Sequence, residues 1–424
     1  MKFIYKLLSL SLAIACLSGC SAASTEIASS SAATATVTPT TDSTEVPASN
    51  NVFTSAGDGL YVTTDSGIYE LQTVFPDSAN IFYTDANTKE RIFLCANPNC
   101  THADESCPSY IATPSAMFPP MLLRVGDQLL VVFTEATDSS NPHGMLMNMD
   151  GSNRRTVFEL ASNQYMQGGF CTSGNDLYFD LYEINDSGNV TYQLWYVSFE
   201  NGTSEKVMDL GSDSDHYSLC DGANNELCFN HVSSDGISYC MYNPQSKTIS
   251  DPFFVDSSVS GNSMIQDGYL FVLDEQASSV QRIRLSDKEQ ASASFTVKEG
   301  FGAPSMRYLF DGNLMITEAQ TTASDIPTDG SYGVCSYILD FGTRNCTEFT
   351  LQTPYNNRPV YVLTTIGDAC YVATDYKTYT PTSVSEDGTV SNFDYVANIY
   401  AFITKQDYIN SNQNGYSMVK DAFE

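Results

Sequence analysis

Beyond Asn51 the chain shows no stretch with the apolar period of an amphipathic helix. Short runs rich in Tyr, Phe, Val, Leu and Ile alternate instead with clusters of Gly, Asp, Asn and Ser, the pattern of strands divided by turns. One unit recurs: a turn, a strand, a loop, a second strand, a tight turn and a third strand. Its openings are "DGLYVTT" at 58, "GDQLLVVF" at 126, "GNDLYFDLY" at 174, "NNELCFNHV" at 224, "DGYLFVLD" at 267, "DGNLMITE" at 311 and "GDACYVATD" at 367. The later half of the unit repeats as well, in "GMLMNMDGSNRRTVFEL", "QLWYVSFENGTSEKVMDL", "SYCMYNPQSKTISDPFFV", "QRIRLSDKEQASASFTV" and "CSYILDFGTRNCTEFTL". Asp150-Gly151 and Asn201-Gly202 supply hairpin turns, because both positions of each pair tolerate positive φ.

From the second opening onward the spacing is roughly 43 to 56 residues, the size of a propeller blade. The expectation is an all-β fold, a β-propeller of seven blades, with six or eight as alternatives. Residues 52–94 would form the first blade. Closure would pair an N-terminal strand with the last blade, whose outer strand falls near "GYSMVK". The stretch "MNMDGSNRRTVFEL" resembles the repeat of TolB-type and WD40-like propellers, in which an Asp-Gly-Ser-Asn turn links the two outer strands of a blade. That resemblance implies architecture and no particular activity.

The first fifty residues have a different character. Lys2 and Lys6 precede an apolar run, Leu7 to Leu17, too short for a permanent membrane span and of signal-peptide length. The run ends in Leu17-Ser18-Gly19-Cys20, which resembles the lipobox of bacterial lipoproteins. This implies cleavage after residue 19, acylation of Cys20 and anchoring to the outer side of the cell membrane. Residues 20–50 are almost entirely Ser, Ala, Thr, Pro and Val. Such a segment cannot bury enough surface to offset chain entropy and reads as a solvated tether. The domain order is therefore signal peptide 1–19, lipid-anchored linker 20–50 and propeller 51–424.

Charge narrows the partners. Loss of Lys2 and Lys6 takes the formal net charge from −31 to −33. Nucleic acid would be repelled, as would an anionic lipid surface, and an acidic shell that keeps an exported protein soluble accounts for the balance.

One stretch concentrates chemistry. "CANPNCTHADESCP", 95–108, holds three of the twelve cysteines and one of the four histidines, in an insertion between the first and second blades. Cys95, Cys100, His102 and Cys107 are a complete ligand set for one closed structural Zn²⁺ site, and thiolate softness favours zinc over calcium or magnesium. Cys100 and His102, two apart, would point the same way in an extended segment. A disulfide arrangement, usual in exported proteins, and reduced unmetallated thiols stay open as alternatives. Setting aside Cys16 and Cys20 of the expected signal region, seven cysteines lie beyond the cluster, and most fall inside predicted strands and read as small buried hydrophobes. Cys228 with Cys240 and Cys335 with Cys346 flank hairpin turns, as candidates for cross-strand bridges. Lipobox, tether and "LCANPNCTHADESCPSY" ahead of degenerate blades together resemble lipoproteins of gut Firmicutes, a group that carries no assigned activity to transfer.

The familiar catalytic signatures are missing. There is no Gly-x-Ser-x-Gly elbow, phosphate loop, dinucleotide fingerprint or His-Glu-x-x-His, and so no motif for the chemistry they carry. "TTDSGIYE" (63–70), "NDSGN" (185–189) and "SDSD" (212–215) read as turns. His216 with Cys220 and His231 with Cys228 are the conceivable His–Cys pairs. No catalytic residue is assigned. The first expectation is a surface-tethered propeller that binds an extracellular protein, peptide or glycan through blade-end loops. A glycan-active enzyme using top-face carboxylates and a scaffold of an envelope or transporter complex are the rivals.

Overall fold

The computed structural model describes residues 53–421 except 56–58, 76–77, 114–117, 257–261, 321–332, 380–381, 385–389 and 393–394. The expected signal peptide, lipidation site Cys20 and tether lie outside the described residues. Among the described residues seven antiparallel meanders follow one another, at 61–112, 121–159, 164–212, 215–256, 263–294, 301–349 and 362–418. The third and fourth are joined edge to edge where Gly211–Ser212 pairs with Asp215–His216. Among the described residues one α-helix, Lys405–Ile409, follows the third strand of the seventh meander; Thr404 caps it by accepting from the Asp407 N–H.

The turns explain why the strands fall where they do. Asn224, Asp267 and Asp311 sit at φ of 54°, 52° and 54°, a left-handed conformation that few residues other than Gly, Asn and Asp adopt readily. The side chains between meanders form the core. Seven apolar clusters each join two consecutive meanders. One packs Leu123, Leu130 and Leu146 of the second against Phe170, Leu177 and Phe179 of the third. Others continue the series around the chain. The last joins Tyr371, Tyr400 and Phe402 of the seventh to Ile68 of the first. Face-to-face packing of successive meanders, returning to the start, is a β-propeller.

Two expectations are corrected. From the second meander onward the recurring openings mark the turn before the second strand, not the first. An inner strand precedes each, for example Gln164–Ser173, Phe301–Tyr308 and Val362–Ile366. Four inner strands carry bulges, which break the period-two alternation that a sequence pattern relies on. In the first meander the equivalent turn is Thr64–Gly67, inside "TTDSGIYE", so "DGLYVTT" is out of phase with the other openings and the meander runs to 112. Closure also differs. Ser417–Met418 forms the outer strand of the seventh meander, as expected, and the chain then continues so that Lys420–Asp421 pairs in parallel with Glu90–Arg91 of the first. The N-terminal Thr54–Ser55 instead joins the third meander, opposite Thr172 and Cys171.

Candidate metal centre and axial funnel

The ligand loop leaves the outer strand Glu90–Phe93 and returns at Tyr110–Ala112, and both strands pair with Ser78–Asp85. Backbone turns fold it between these ends: Cys100 N–H donates to Asn97 O, Cys107 N–H to Asp104 O, and Tyr110 N–H to Cys107 O. The segment is not extended. His102 adopts φ +56°, so turning, and not strand alternation, aims its imidazole at the cysteines. The result is the cluster expected: one ligand atom from each of Cys95, Cys100, His102 and Cys107, all within 4.8 Å of one another. A tetrahedron with Zn–S bonds of about 2.3 Å has edges of about 3.8 Å, so small side-chain movements complete it.

The surroundings support ligation. His102 Nδ1 is 3.3 Å from Cys107 Sγ, and the His102 ring stacks on Phe93 at 4.0 Å. Cys107 is buried, with its Sγ 3.1 Å from Ser109 Oγ, which in turn donates to Asn80 Oδ1 at 2.8 Å. Burial pushes the Cys107 thiol up, but hydrogen bonding with Ser109, His102 and Cys100 outweighs it and brings the thiol down to about 6. Burial raises Cys95 to about 11. From the second meander, the Arg154 guanidinium donates to the carbonyls of Pro108 and Tyr110. Gly151 lies so close that a Cβ there would meet Pro108 O at 2.4 Å. Three thiolates around a divalent ion carry one net negative charge, and Arg154 lies on the segment where that charge would sit. Arg154, Ser109 and Asn80 were invisible to spacing arguments because no ligand spacing points to the groups that support the ligands.

All ten described cysteines are free thiols. The suggested cross-strand bridges are corrected by register. Cys240 stands opposite Phe229 and not Cys228. Cys335 stands opposite Glu318, while Cys346 stands opposite Leu339. The one-residue offset turns Cys228 and Cys240 to opposite faces, and Cys335 lies four residues along its strand from Leu339, the partner of Cys346. Cys171, Cys228, Cys240, Cys335 and Cys370 are buried, in keeping with small core hydrophobes, whereas Cys346 is exposed. The conceivable His–Cys pairs do not form. His216 stacks on Tyr192, and His231 stacks on Tyr217 while bonding Asp215.

The second feature is a cavity of about 810 Å³ lined by residues from the fourth to seventh and first meanders, with Phe53 of the N-terminal segment. Its wall mixes aromatic and apolar side chains, Tyr61, Tyr269, Tyr308, Met264 and Met306, with polar ones, among them Arg284, Arg307, Asp221, Asp267 and Asp311. The carboxylates are engaged at the seams. Asp221 accepts from Gly268 N–H at 2.8 Å, Asp267 accepts from Tyr308 OH, and Asp311 binds Lys405 Nζ at 2.8 Å.

No family model matches the chain, and no curated protein does. Similar solved structures include a prolyl endopeptidase (15% identity, 82% of this chain and 45% of that one, TM-score 0.43). TolB from Acinetobacter baumannii is another (7% identity, 84% and 77%, TM-score 0.34). A third is the β-propeller domain of the Trilobed protease from Pyrococcus furiosus (12% identity, 72% and 99%, TM-score 0.36). The chain spans 35% of the tricorn protease that it also matches.

Proposed function

We propose that this protein is a surface lipoprotein, acylated at Cys20, tethered by residues 20–50 and facing outside the cytoplasm. Its seven-bladed propeller takes an extracellular protein, peptide or glycan in the axial funnel. The observation that carries the binding reading is the funnel itself: a sizeable aromatic-lined cavity whose three carboxylates already hold neighbouring meanders together. Carboxylates committed to such contacts serve poorly as a general acid and base, which favours binding over glycan hydrolysis. At Cys95, Cys100, His102 and Cys107 the protein holds Zn²⁺. The four residues fill a closed coordination shell, so the ion staples the insertion and leaves no open position for catalysis.

The anchor is tested by fatty-acid labelling of cells that express the full chain: label lost in Cys20→Ser supports it, and label retained overturns it. The funnel is tested by screening the full chain against peptide and glycan arrays without oxygen, alongside Met306→Trp, which puts a bulky ring on the cavity wall. Signals abolished by that substitution support the funnel as the site. Signals that survive it, or no signal at all, overturn that placement.

A further inference from the structure

The outer strand Glu90–Phe93 stands between the cysteine cluster and the contact that closes the ring. It pairs with Ser78–Asp85 through only three residue pairs, Phe82 with Phe93, Tyr83 with Ile92 and Thr84 with Arg91. Its other edge receives the C-terminal Lys420–Asp421. There Lys420 N–H donates to Lys89 O at 2.8 Å, and Val419 N–H donates to Tyr400 O at 3.0 Å. A buried ionic centre backs the junction. Arg91, 1% exposed, donates to Glu70 Oε2 at 2.8 Å, Gln72 Oε1 at 2.7 Å and Asp421 Oδ1 at 3.2 Å. Its guanidinium lies over the Phe82 ring at 3.8 Å.

The metal loop grips the same short strand. Cys95 lies two residues past Phe93, and its N–H donates to Phe93 O at 2.6 Å. The Phe93 ring is held between His102 and Phe82, at 4.0 Å and 4.6 Å between ring centres. Phe82 is thus in contact with both the ligand-bearing side, through Phe93, and the latch-bearing side, through Arg91. At the far end of the loop, Ile81 N–H donates to Ser109 O at 2.8 Å. A loop without metal must order its turns unaided, whereas an ion tying four side chains fixes Phe93 and with it the strand that the C-terminus docks on.

From this we infer that metal occupancy at Cys95, Cys100, His102 and Cys107 and docking of the C-terminal strand on Glu90–Arg91 are energetically coupled, so the metal tightens the latch that closes the propeller. The inference rests on the reading of the cluster as a metal site. Coupling between binding events is reciprocal: if the ion strengthens the latch, weakening the latch weakens the ion's binding by the same factor.

The test uses Zn²⁺ alone and the full chain. Zinc affinity is measured by chelator competition for the natural protein and for Asp421→Asn, which removes the charge that Arg91 meets from the C-terminal strand. In parallel, amide exchange at Val419 and Lys420 is followed in the natural protein with and without zinc, a readout that does not depend on the variant folding. Coupling predicts about tenfold weaker zinc binding in Asp421→Asn and slower exchange at both amides when zinc is bound. Zinc that binds with either affinity or exchange unchanged overturns the coupling and leaves the metal site standing. Failure of the natural protein to bind zinc overturns both.

Discussion

Asp180 offers the sharpest quantitative test of the fold. It lies in the second strand of the third meander, 1% exposed, and its Oδ2 accepts the Leu219 N–H of the fourth meander at 3.1 Å. Burial lifts its carboxyl from the ordinary 3.8 to about 7, against the opposing pull of the Leu219 amide. A rise of that size is worth about 4 kcal/mol, at about 1.36 kcal/mol for each pH unit. The sign follows from proton binding. Between pH 3.8 and about 7 the folded protein keeps a proton that the unfolded chain has released, so stability falls as pH rises through that window. Above it, the folded state carries the full cost of a buried charge. Asp180→Asn removes the titration while keeping an oxygen for the Leu219 amide. Urea unfolding of both proteins at about pH 4, 6 and 8 should show nearly equal stability at the acid end. At the alkaline end the variant should be the more stable, by an amount on the order of 4 kcal/mol. A difference that stays flat with pH, or a variant that is less stable throughout, would refute the argument that an uncompensated carboxylate is buried at this seam.

Replacing Cys100 or His102 by Ala should reduce bound zinc from about one ion per chain to none, measured by mass spectrometry on protein purified without chelator, since three ligands leave the closed site incomplete. Gly222→Ala should loosen the N-terminal segment, because the new methyl would lie 2.4 Å from the Phe53 Cβ. Overpacking of this kind costs about 1–3 kcal/mol, and faster proteolysis near Phe53 reports it. Tyr400→Phe removes the hydroxyl that donates to Glu70 Oε1 at 2.6 Å. It should cost about 1–3 kcal/mol in urea unfolding by leaving a buried acceptor unsatisfied.

The cysteine cluster and the outer three strands of most meanders were legible in the sequence. Their signals are local: a hairpin turn needs its Asp-Gly within two positions, and the short segment from Cys95 to Cys107 can bring four ligands together whatever the rest of the chain does. The inner strands were not legible. Their bulges, as at Met166 to Phe170 and Gly302 to Ser305, erase the alternation a strand shows when one face is buried and the other wet. The proposed bridges failed for a related reason. Closeness across a hairpin turn does not set register, and a shift of one residue puts Cys228 and Cys240 on opposite faces.

By itself, then, the sequence determined an all-β repeat and a soft four-ligand set, because turn chemistry, strand propensity and ligand type reside in individual residues and short spacings. Only the tertiary structure decided which meander follows which around the ring and that Arg154 supports the ligand loop. It alone decided that three carboxylates of the funnel are spent on the seams, and that the C-terminus closes onto Glu90–Arg91 where an N-terminal strand had been expected on the last blade. Those outcomes depend on contacts between residues far apart along the chain, such as Arg91 with Asp421. Nothing in either neighbourhood specifies such partners until the meanders pack and bring them together.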